Sequence, residues 1–241
     1  MTQPLRGDVR WVRLTGIAGV LASIAWLVGD VLLLGLPMGS PSSYPILTTY
    51  EGMPRDLLAQ MLPASTTRLA WGALLGVLTG PLYLAACWHL WQGVRQARRW
   101  LSLPPVLLLT TGYALAPFAH GSFYYWGQSA IAVHESGSRS EVLTALPGDM
   151  ATVLFIPYFV LLAFWVVGSA WMAVCVLRGN TAFPRWMCVV NPLVCIPVGA
   201  LVIGLFPGTA GVALQGAALS IGNLLFFALS TAALWTRARN R

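Results

Sequence analysis

The sequence predicts an all-α fold, a polytopic membrane helix bundle with about six transmembrane helices and both termini in the cytoplasm. Three observations predict it. Of the 241 residues, 57% are hydrophobic and only 9% are charged, whereas a soluble domain carries about 25% charged residues. Six long apolar stretches make up most of the chain. Arginine is distributed unevenly between the connections, which predicts how the helices are oriented.

Each apolar stretch reaches the length of about 20 residues that a helix needs to cross roughly 30 Å of hydrocarbon. The predicted spans are residues 14–36, 69–91, 103–126, 151–177, 186–206 and 212–235. No linker or change of composition separates them. Residues 1–241 are therefore predicted to form a single transmembrane helical bundle domain.

The first span follows Arg6, Arg10 and Arg13, as the apolar part of a signal peptide would. It is too long for that part of a signal peptide, and no convincing small-residue cleavage site follows it. We therefore expect the first span to remain as a helix of the mature protein.

Prolines interrupt the second to fifth spans. They are Pro81, Pro117, Pro157, Pro192 and Pro197. Proline removes an internal backbone hydrogen bond and bends a helix, and bends open cavities inside a bundle. Prolines are also ordinary in membrane helices, so the alternative is a bundle without cavities at these positions.

Two connections are long, residues 37–68 and 127–150, and both fall on the side opposite to most arginines. The first has turn residues at both ends around a possible short helix at residues 54–62. Long loops in a compact protein often bind or gate. We expect function on this outer side, with plain disorder of the loops as the alternative.

All fourteen basic residues are arginine. Eleven fall on one side: Arg6, Arg10, Arg13, Arg95, Arg98, Arg99, Arg178, Arg185, Arg237, Arg239 and Arg241. Short connections rich in arginine stay in the cytoplasm, so this side is predicted to be cytoplasmic and to contain both termini. The net charge of +7 is then a topology signal and an attraction to anionic lipid headgroups, and it does not require a nucleic-acid partner.

Several classes of chemistry are excluded or disfavoured by residue usage. The chain has no lysine, which excludes a retinal Schiff base. Cys87, Cys175, Cys188 and Cys195 lie in predicted spans without a C-x-x-C pair, so they are expected to be reduced packing thiols. The His and acidic residues lack the fixed spacings of zinc sites. We predict no metal and no cofactor.

Asp30 is the most informative residue, because it lies in the apolar segment WLVGDVLLLG of the first span. An ionisable residue inside a span is costly and marks a functional site by default. Burial disfavours the charged carboxylate, which favours a neutral acid able to donate a proton. The alternative is a structural hydrogen bond to Asn223 or to a helix end.

His120 and Asp149 are the predicted partners of Asp30. His120 lies near the outer end of the third span, at a similar depth to Asp30, and could act as a base, a proton relay or a ligand, or could bond a loop carbonyl. Asp149 immediately precedes the fourth span and would arrive at the same rim, or would cap that helix. Asn191 and Asn223 are interpreted mainly as structural hydrogen-bonding residues within spans.

Aromatic residues surround these polar positions. Trp26 lies one turn before Asp30 and shares its helix face. We predict that an apolar substrate pocket is lined by Trp26, Phe118, Tyr124, Trp126 and Tyr158. Aromatic rings of this kind stabilise a passing cation, although packing and interfacial anchoring are the alternative roles.

Together these residues favour an integral membrane enzyme that acts on a lipophilic, possibly isoprenoid, substrate entering from the bilayer. Asp30 would protonate an alkene or epoxide and start a cyclisation or isomerisation, and His120 or Asp149 would remove the final proton. The first alternative is a proton- or cation-coupled transporter or channel subunit. The cytoplasmic halves of the spans offer few polar residues for such a relay beyond Asn191, Asn223 and thiols. The second alternative is a non-catalytic scaffold subunit.

Short motifs carry a resemblance. GDVLLLG in the first span, Tyr44-Pro45 in the first loop and the run from His120 to Phe123 resemble an uncharacterised group of small multi-pass bacterial membrane proteins. The resemblance covers most of the chain and implies a multi-pass protein of the bacterial cytoplasmic membrane, with no activity to carry over. The predicted chemistry is similar in outline to small membrane-bound terpene cyclases, but no motif aligns and no D-D-x-x-D cluster is present.

Overall fold

The computed structural model describes residues 9–37, 44–48, 54–137 and 140–239, and the fold of these residues is all-helical. Arg6, Arg139 and Arg241 lie outside the described residues, as do the side chains of Arg237 and Arg239. The helices are α1 (Val9–Leu34), α2 (Arg55–Met61), α3 (Thr66–Val94), α4 (Arg99–Ser136), α5 (Glu141–Arg178), α6 (Pro192–Ile203), α7 (Gly208–Gln215) and α8 (Ala218–Arg239). Two 3₁₀ turns occupy Pro45–Thr48 and Arg185–Cys188.

Five helices are long and apolar enough to cross a membrane, namely α1, α3, α4, α5 and α8. The bundle also presents large apolar side chains on its outer surface, such as Leu78, Phe159 and Leu201, each more than 60% exposed. An apolar surface of this extent is not compatible with water around the whole molecule. The structure therefore indicates a helical membrane protein.

The fifth predicted span, residues 186–206, is interrupted in the structure. The chain forms a 3₁₀ turn and then α6, which has only 12 residues. Asn191 is the N-cap of α6, because its side-chain Oδ1 accepts a hydrogen bond from the Leu193 N–H at 3.0 Å, and Pro192 begins the helix. Asn191 therefore lies at a helix start, because Asn followed by Pro favours that position, and its hydrogen bonds are structural, as predicted.

The helices form a bundle in which neighbours in sequence are mostly neighbours in space. α1 packs on α3 and α8, α3 packs on α4, α4 packs on α5, and α8 packs on α6. Glycine allows the closest of these approaches. A Cβ atom at Gly19 of α1 would overlap the Phe227 ring of α8, so the two backbones pack more closely there than a larger residue would permit.

Contacts between helix ends show that the bundle has two different ends. Arg13 lies over the ring of Trp235 at 4.5 Å, and the Ala182 N–H donates to the Gly93 carbonyl at 2.8 Å. The start of α1 and the ends of α3, α5 and α8 therefore lie together. The described arginines of this region, which we name the arginine end, are Arg10, Arg13, Arg95, Arg98, Arg99, Arg178 and Arg185.

The opposite end holds the described carboxyl groups. They belong to Asp30, Asp56, Glu135, Glu141 and Asp149. Here the guanidinium group of Arg68, at the start of α3, donates to the carbonyls of Val31 and Leu32 at 2.6 and 2.9 Å. These bonds satisfy carbonyl groups at the C-terminus of α1. They fix the end of the helix that carries Asp30.

Candidate functional site

A small cavity lies inside the bundle where α1, α4, α5 and α8 meet, toward the end that is opposite to the arginine end. Its volume is about 50 Å³. The residues that line it are Trp26, Asp30, Leu34, Ala116, Ala119, His120, Phe123, Tyr158, Leu161, Trp165, Gly216, Leu219, Ser220 and Asn223. The set includes one carboxylic acid, Asp30, and one imidazole base, His120. Both residues that the sequence singled out therefore line the same cavity.

Asp30 is held by the first turn of α8. The Ser220 hydroxyl donates to Asp30 Oδ2 at 2.5 Å, and α8 begins only two residues earlier, at Ala218. The N-terminus of a helix favours negative charge, so this position is suited to a carboxyl group that cycles between its acid and carboxylate forms. Asp30 side-chain atoms are 14% exposed.

Asn223 has a different partner from the one considered in the sequence. Its Oδ1 accepts the hydroxyl of Tyr113 at 2.7 Å, and its Nδ2 donates to the Leu219 carbonyl at 3.0 Å. The structural hydrogen bond to Asp30 therefore comes from Ser220. Asn223 joins α4 to α8 on another wall of the cavity.

His120 is fixed between a backbone carbonyl and Asp30. Its Nε2 lies 3.0 Å from the Gly72 carbonyl of α3, and its Nδ1 lies 3.5 Å from Asp30 Oδ1. A carbonyl only accepts, so Nε2 carries the hydrogen of this bond. Nδ1 therefore faces the carboxyl group.

Glycine makes the space for the imidazole ring. A Cβ atom at Gly76 would overlap the ring of His120, and a Cβ atom at Gly29 would lie 2.9 Å from its Nε2. Both positions therefore leave room that an alanine would fill. The ring is confined to one orientation by packing and by its bond to Gly72.

Aromatic rings form the walls of the site. Trp26 packs on His120 with ring centroids 4.9 Å apart and meets Tyr83 edge-on at 5.1 Å. Phe123 meets Tyr158 edge-on at 6.2 Å. The indole nitrogens of Trp26 and Trp165 are buried and have no hydrogen-bond partner among the described residues. Buried N–H groups are normally paired, and these two are exceptions.

Three predicted pocket residues lie elsewhere. Phe118 is 52% exposed on the outer surface of the bundle, and Tyr124 is half-buried against Tyr125. Trp126 is fully buried but packs against Phe155 at 5.3 Å without lining the cavity. Helix periodicity accounts for Phe118 and Trp126, which lie on other faces of α4 than His120. Tyr124, one turn after His120, is close to its face, but the cavity is lined by Ala116, Ala119 and Phe123 instead.

Asp149 also lies outside the cavity. It is exposed and lies within α5, which begins at Glu141 with Ser140 as its N-cap residue. The interpretation of Asp149 as a helix cap is therefore wrong, because the helix begins more than two turns earlier than the apolar run. Trp26 and Tyr158, by contrast, do line the cavity.

Several residues of the site were missed in the sequence. Ser220 and the carbonyl of Gly72 carry no signal there, because serine is common in helices and any residue supplies a carbonyl. Phe123 and Trp165 were not among the predicted pocket residues, although both line the cavity. Their role follows from which helix faces meet.

A second set of buried polar groups lies between the cavity and the arginine end. The Tyr83 hydroxyl donates to Ser23 Oγ at 3.1 Å, and His89 Nδ1 lies 2.9 Å from the Val12 carbonyl. His89 is fully buried. The expectation that this half of the bundle offers few polar groups beyond Asn191, Asn223 and thiols is therefore wrong.

Within the ranges that the structure describes, no group of three or more His, Cys, Asp or Glu side chains is arranged to hold a metal ion.

Comparison with known proteins places the chain in one family. A family model described as a family of unknown function (DUF6796) matches residues 8–236. The match covers well over half of the sequence, and the chain belongs to this family. No curated protein and no solved structure matches the chain.

Proposed function

We propose that this member of DUF6796 is an integral membrane enzyme that performs acid–base chemistry on a lipophilic, isoprenoid-like substrate. The observation that carries the proposal is the pairing of Asp30 with His120, 3.5 Å apart, at a cavity walled by aromatic rings. A carboxyl group inside an apolar bundle is costly. A buried acid next to a base is typical of a site of proton transfer.

In the proposed reaction, the Asp30 carboxyl group gives its proton to one carbon of a substrate double bond, which leaves a carbocation at the neighbouring carbon. His120 Nδ1 then removes a proton from the carbon on the far side of the cation, and the double bond forms again one position along the chain. The imidazolium returns this proton to the Asp30 carboxylate. Acid and base are regenerated, and the net reaction is an isomerisation that consumes no second reactant.

The walls of the cavity suit a cationic intermediate. Trp26, Phe123, Tyr158 and Trp165 border the space next to Asp30, and the face of a desolvated aromatic ring stabilises a cation by about 2 kcal/mol. Ser220 stabilises the carboxylate that remains after the proton leaves. Both contributions are largest in the charged intermediate, which is where a catalyst needs them.

The size of the cavity favours isomerisation over cyclisation. A space of about 50 Å³ accepts the reactive end of a chain, whereas ring closure requires a longer part of the chain to fold up inside the site. The rest of the substrate chain must therefore bind outside this cavity.

An apolar cleft on the surface of the bundle supplies that place. It has a volume of about 240 Å³ and lies between α5, α6 and the start of α8. Trp165 and Leu219 line both the cleft and the cavity. A lipophilic chain lying in the cleft from the bilayer would pass between these two side chains to bring its end to Asp30.

The proposal includes a topology. Since α5 ends at the arginine end and α8 begins at the opposite end, the short segment from α6 to α7 carries the chain back, which gives six crossings. With the arginine end in the cytoplasm, both termini are cytoplasmic. The Asp30 cavity then lies in the outer half of a bacterial cytoplasmic membrane.

The test is mass spectrometry of lipophilic extracts from membranes that carry the wild type, Asp30→Asn or Asp149→Asn, each fed a panel of linear isoprenoids and their epoxides. Asn keeps the shape of Asp30 but has no carboxyl proton, so we expect a product from the wild type and Asp149→Asn only. Asp149 is the matched control because it is an exposed carboxyl group outside the cavity. Identical extracts from all three, at equal protein levels, would contradict the proposal.

Proton- or cation-coupled transport is the second candidate, and the buried polar groups toward the arginine end favour it. Tyr83, Ser23 and His89 continue from the cavity toward the far side of the bundle, as a relay requires. In proteoliposomes, proton flux that is lost in Asp30→Asn, without any isoprenoid product, would favour transport. No flux and no product in either protein would favour a scaffold subunit.

A further inference from the structure

A second, larger cavity lies at the arginine end, where the start of α4 faces the last turns of α5. Its volume is about 940 Å³, at the upper end of the range of ligand sites, about 300 to 1,000 Å³. It is open to the surface. Arg98 and Arg178 line the end that we name its mouth, and the exposed side chains of Val166, Ala170 and Val174 on α5 form what we name its apolar floor. Val166 also lines the apolar cleft proposed for the substrate chain, whereas the other four residues take no part in the proposed reaction.

The mouth of this cavity is strongly positive. Arg98 and Arg178 are exposed, and neither forms an ion pair within the part of the chain that the structure describes. All five described carboxyl groups lie at the other end of the bundle. A planar guanidinium group binds phosphate oxygens in pairs, and the N-terminus of α4 adds a positive dipole at the same place.

The floor of the cavity has the length of one bilayer leaflet. Val166, Ala170, Val174 and Arg178 are four residues apart along α5, so they form a single stripe on one face of the helix. From Val166 to Arg178 the stripe is ~18 Å long, which is a little more than half of the roughly 30 Å hydrocarbon core. Trp100 and Trp171 also line the cavity, as aromatic residues at an interface do.

We infer that this cavity is a binding site for an anionic phospholipid. The phosphate group lies between Arg98 and Arg178, and one acyl chain lies along the stripe that ends at Val166. An uncompensated pair of arginines selects a headgroup with net negative charge over a zwitterionic one. The inference does not depend on the proposed isomerisation.

The test is native mass spectrometry of the full-length protein, released from nanodiscs that contain equal amounts of phosphatidylglycerol and phosphatidylcholine. We expect retained phosphatidylglycerol on the wild type. The double variant Arg98→Gln and Arg178→Gln removes both charges and is expected to weaken retention ~30-fold. Each arginine near a membrane surface increases the affinity for an anionic lipid by about five-fold. Ala170→Trp fills the floor without changing charge and should also abolish retention.

The matched control is the double variant Arg99→Gln and Arg185→Gln, which removes two exposed charges at the same end but outside the cavity. It should retain phosphatidylglycerol as the wild type does. Each variant must elute as one monodisperse species before it is measured. Equal loss in the control pair, equal retention of both lipids, or displacement of the lipid by millimolar inorganic phosphate would overturn the inference.

Discussion

Asp30 could be recognised in the sequence because a carboxyl group in an apolar span is unusual. Its relation to His120 could also be anticipated, since the two residues lie at a similar depth in their predicted spans. Its bond to Ser220 could not, because a serine in a helix most often bonds a carbonyl of its own turn. At the scale of single residues, a side chain that is rare in membrane spans, such as an aspartate, can be recognised as a site residue from the sequence. A polar side chain that is common there, such as a serine, cannot.

Ser220 has a testable role in the site. Ser220→Ala removes the hydroxyl that donates to Asp30 Oδ2 at 2.5 Å. Hydrogen bonds to charged groups contribute about 1.5 to 3 kcal/mol, so the carboxylate left after proton transfer becomes less stable and turnover should fall ~10-fold or more. The measurement is the rate of isoprenoid product formation per mole of protein in membranes.

Ser122→Ala is the control for Ser220→Ala. Its hydroxyl bonds the Phe118 carbonyl of its own helix, away from the cavity. An unchanged rate in Ser220→Ala, or an equal fall in Ser122→Ala, would show that the bond to Asp30 does not assist the reaction.

At the scale of helices, composition predicted the five long apolar elements, with ends that differ from the structure. The structure extends α4 to Ser136 and α5 back to Glu141, beyond the apolar runs from which the spans were predicted. α6 is shorter than predicted because Asn191-Pro192 begins a helix. The misplaced rings of Phe118 and Trp126 have one cause, since proximity in sequence is not proximity on a helix face. Tyr124 is close to the face of His120 but packs against Tyr125.

Packing between α3 and α4 depends on Gly76. Gly76→Ala puts a methyl group where the His120 ring lies, so the ring must move and the two helices must separate. Overpacking of this kind costs about 1 to 3 kcal/mol. We expect a lower midpoint of thermal unfolding in detergent, together with loss of product formation.

Gly121→Ala is the control for Gly76→Ala on the same pair of helices. An added Cβ atom there meets only the end of the Val77 side chain, at 3.0 Å. It should change the unfolding midpoint little. A Gly76→Ala protein with wild-type stability and turnover would contradict the account of how His120 is positioned.

At the scale of the whole molecule, the distribution of arginine predicted one charged end, and the structure places the described arginines of that group together. The direction of the bundle in the membrane is testable by thiol labelling. In a Cys188→Ser background, Asn180→Cys places a thiol at the arginine end and Glu141→Cys places one at the opposite end. A membrane-impermeant maleimide should label Glu141→Cys in intact cells, and Asn180→Cys only after the membrane is permeabilised.

The reverse labelling pattern would place the Asp30 cavity in the inner half of the membrane. Labelling of both positions in intact cells would contradict a bundle that crosses the bilayer with its arginine end inside. Permeabilised cells provide the control that each thiol is accessible to the reagent.

The most direct measurement of the central claim is a single turnover in D₂O. The purified wild type, in excess and equilibrated in D₂O, is mixed with the isoprenoid that it converts, and the product is analysed by mass spectrometry. Because Asp30 and His120 exchange their protons with solvent before substrate arrives, the account predicts one deuterium in the product, at the carbon that Asp30 protonates, and no conversion by Asp30→Asn. A product without deuterium, or an unchanged yield from Asp30→Asn, would contradict it.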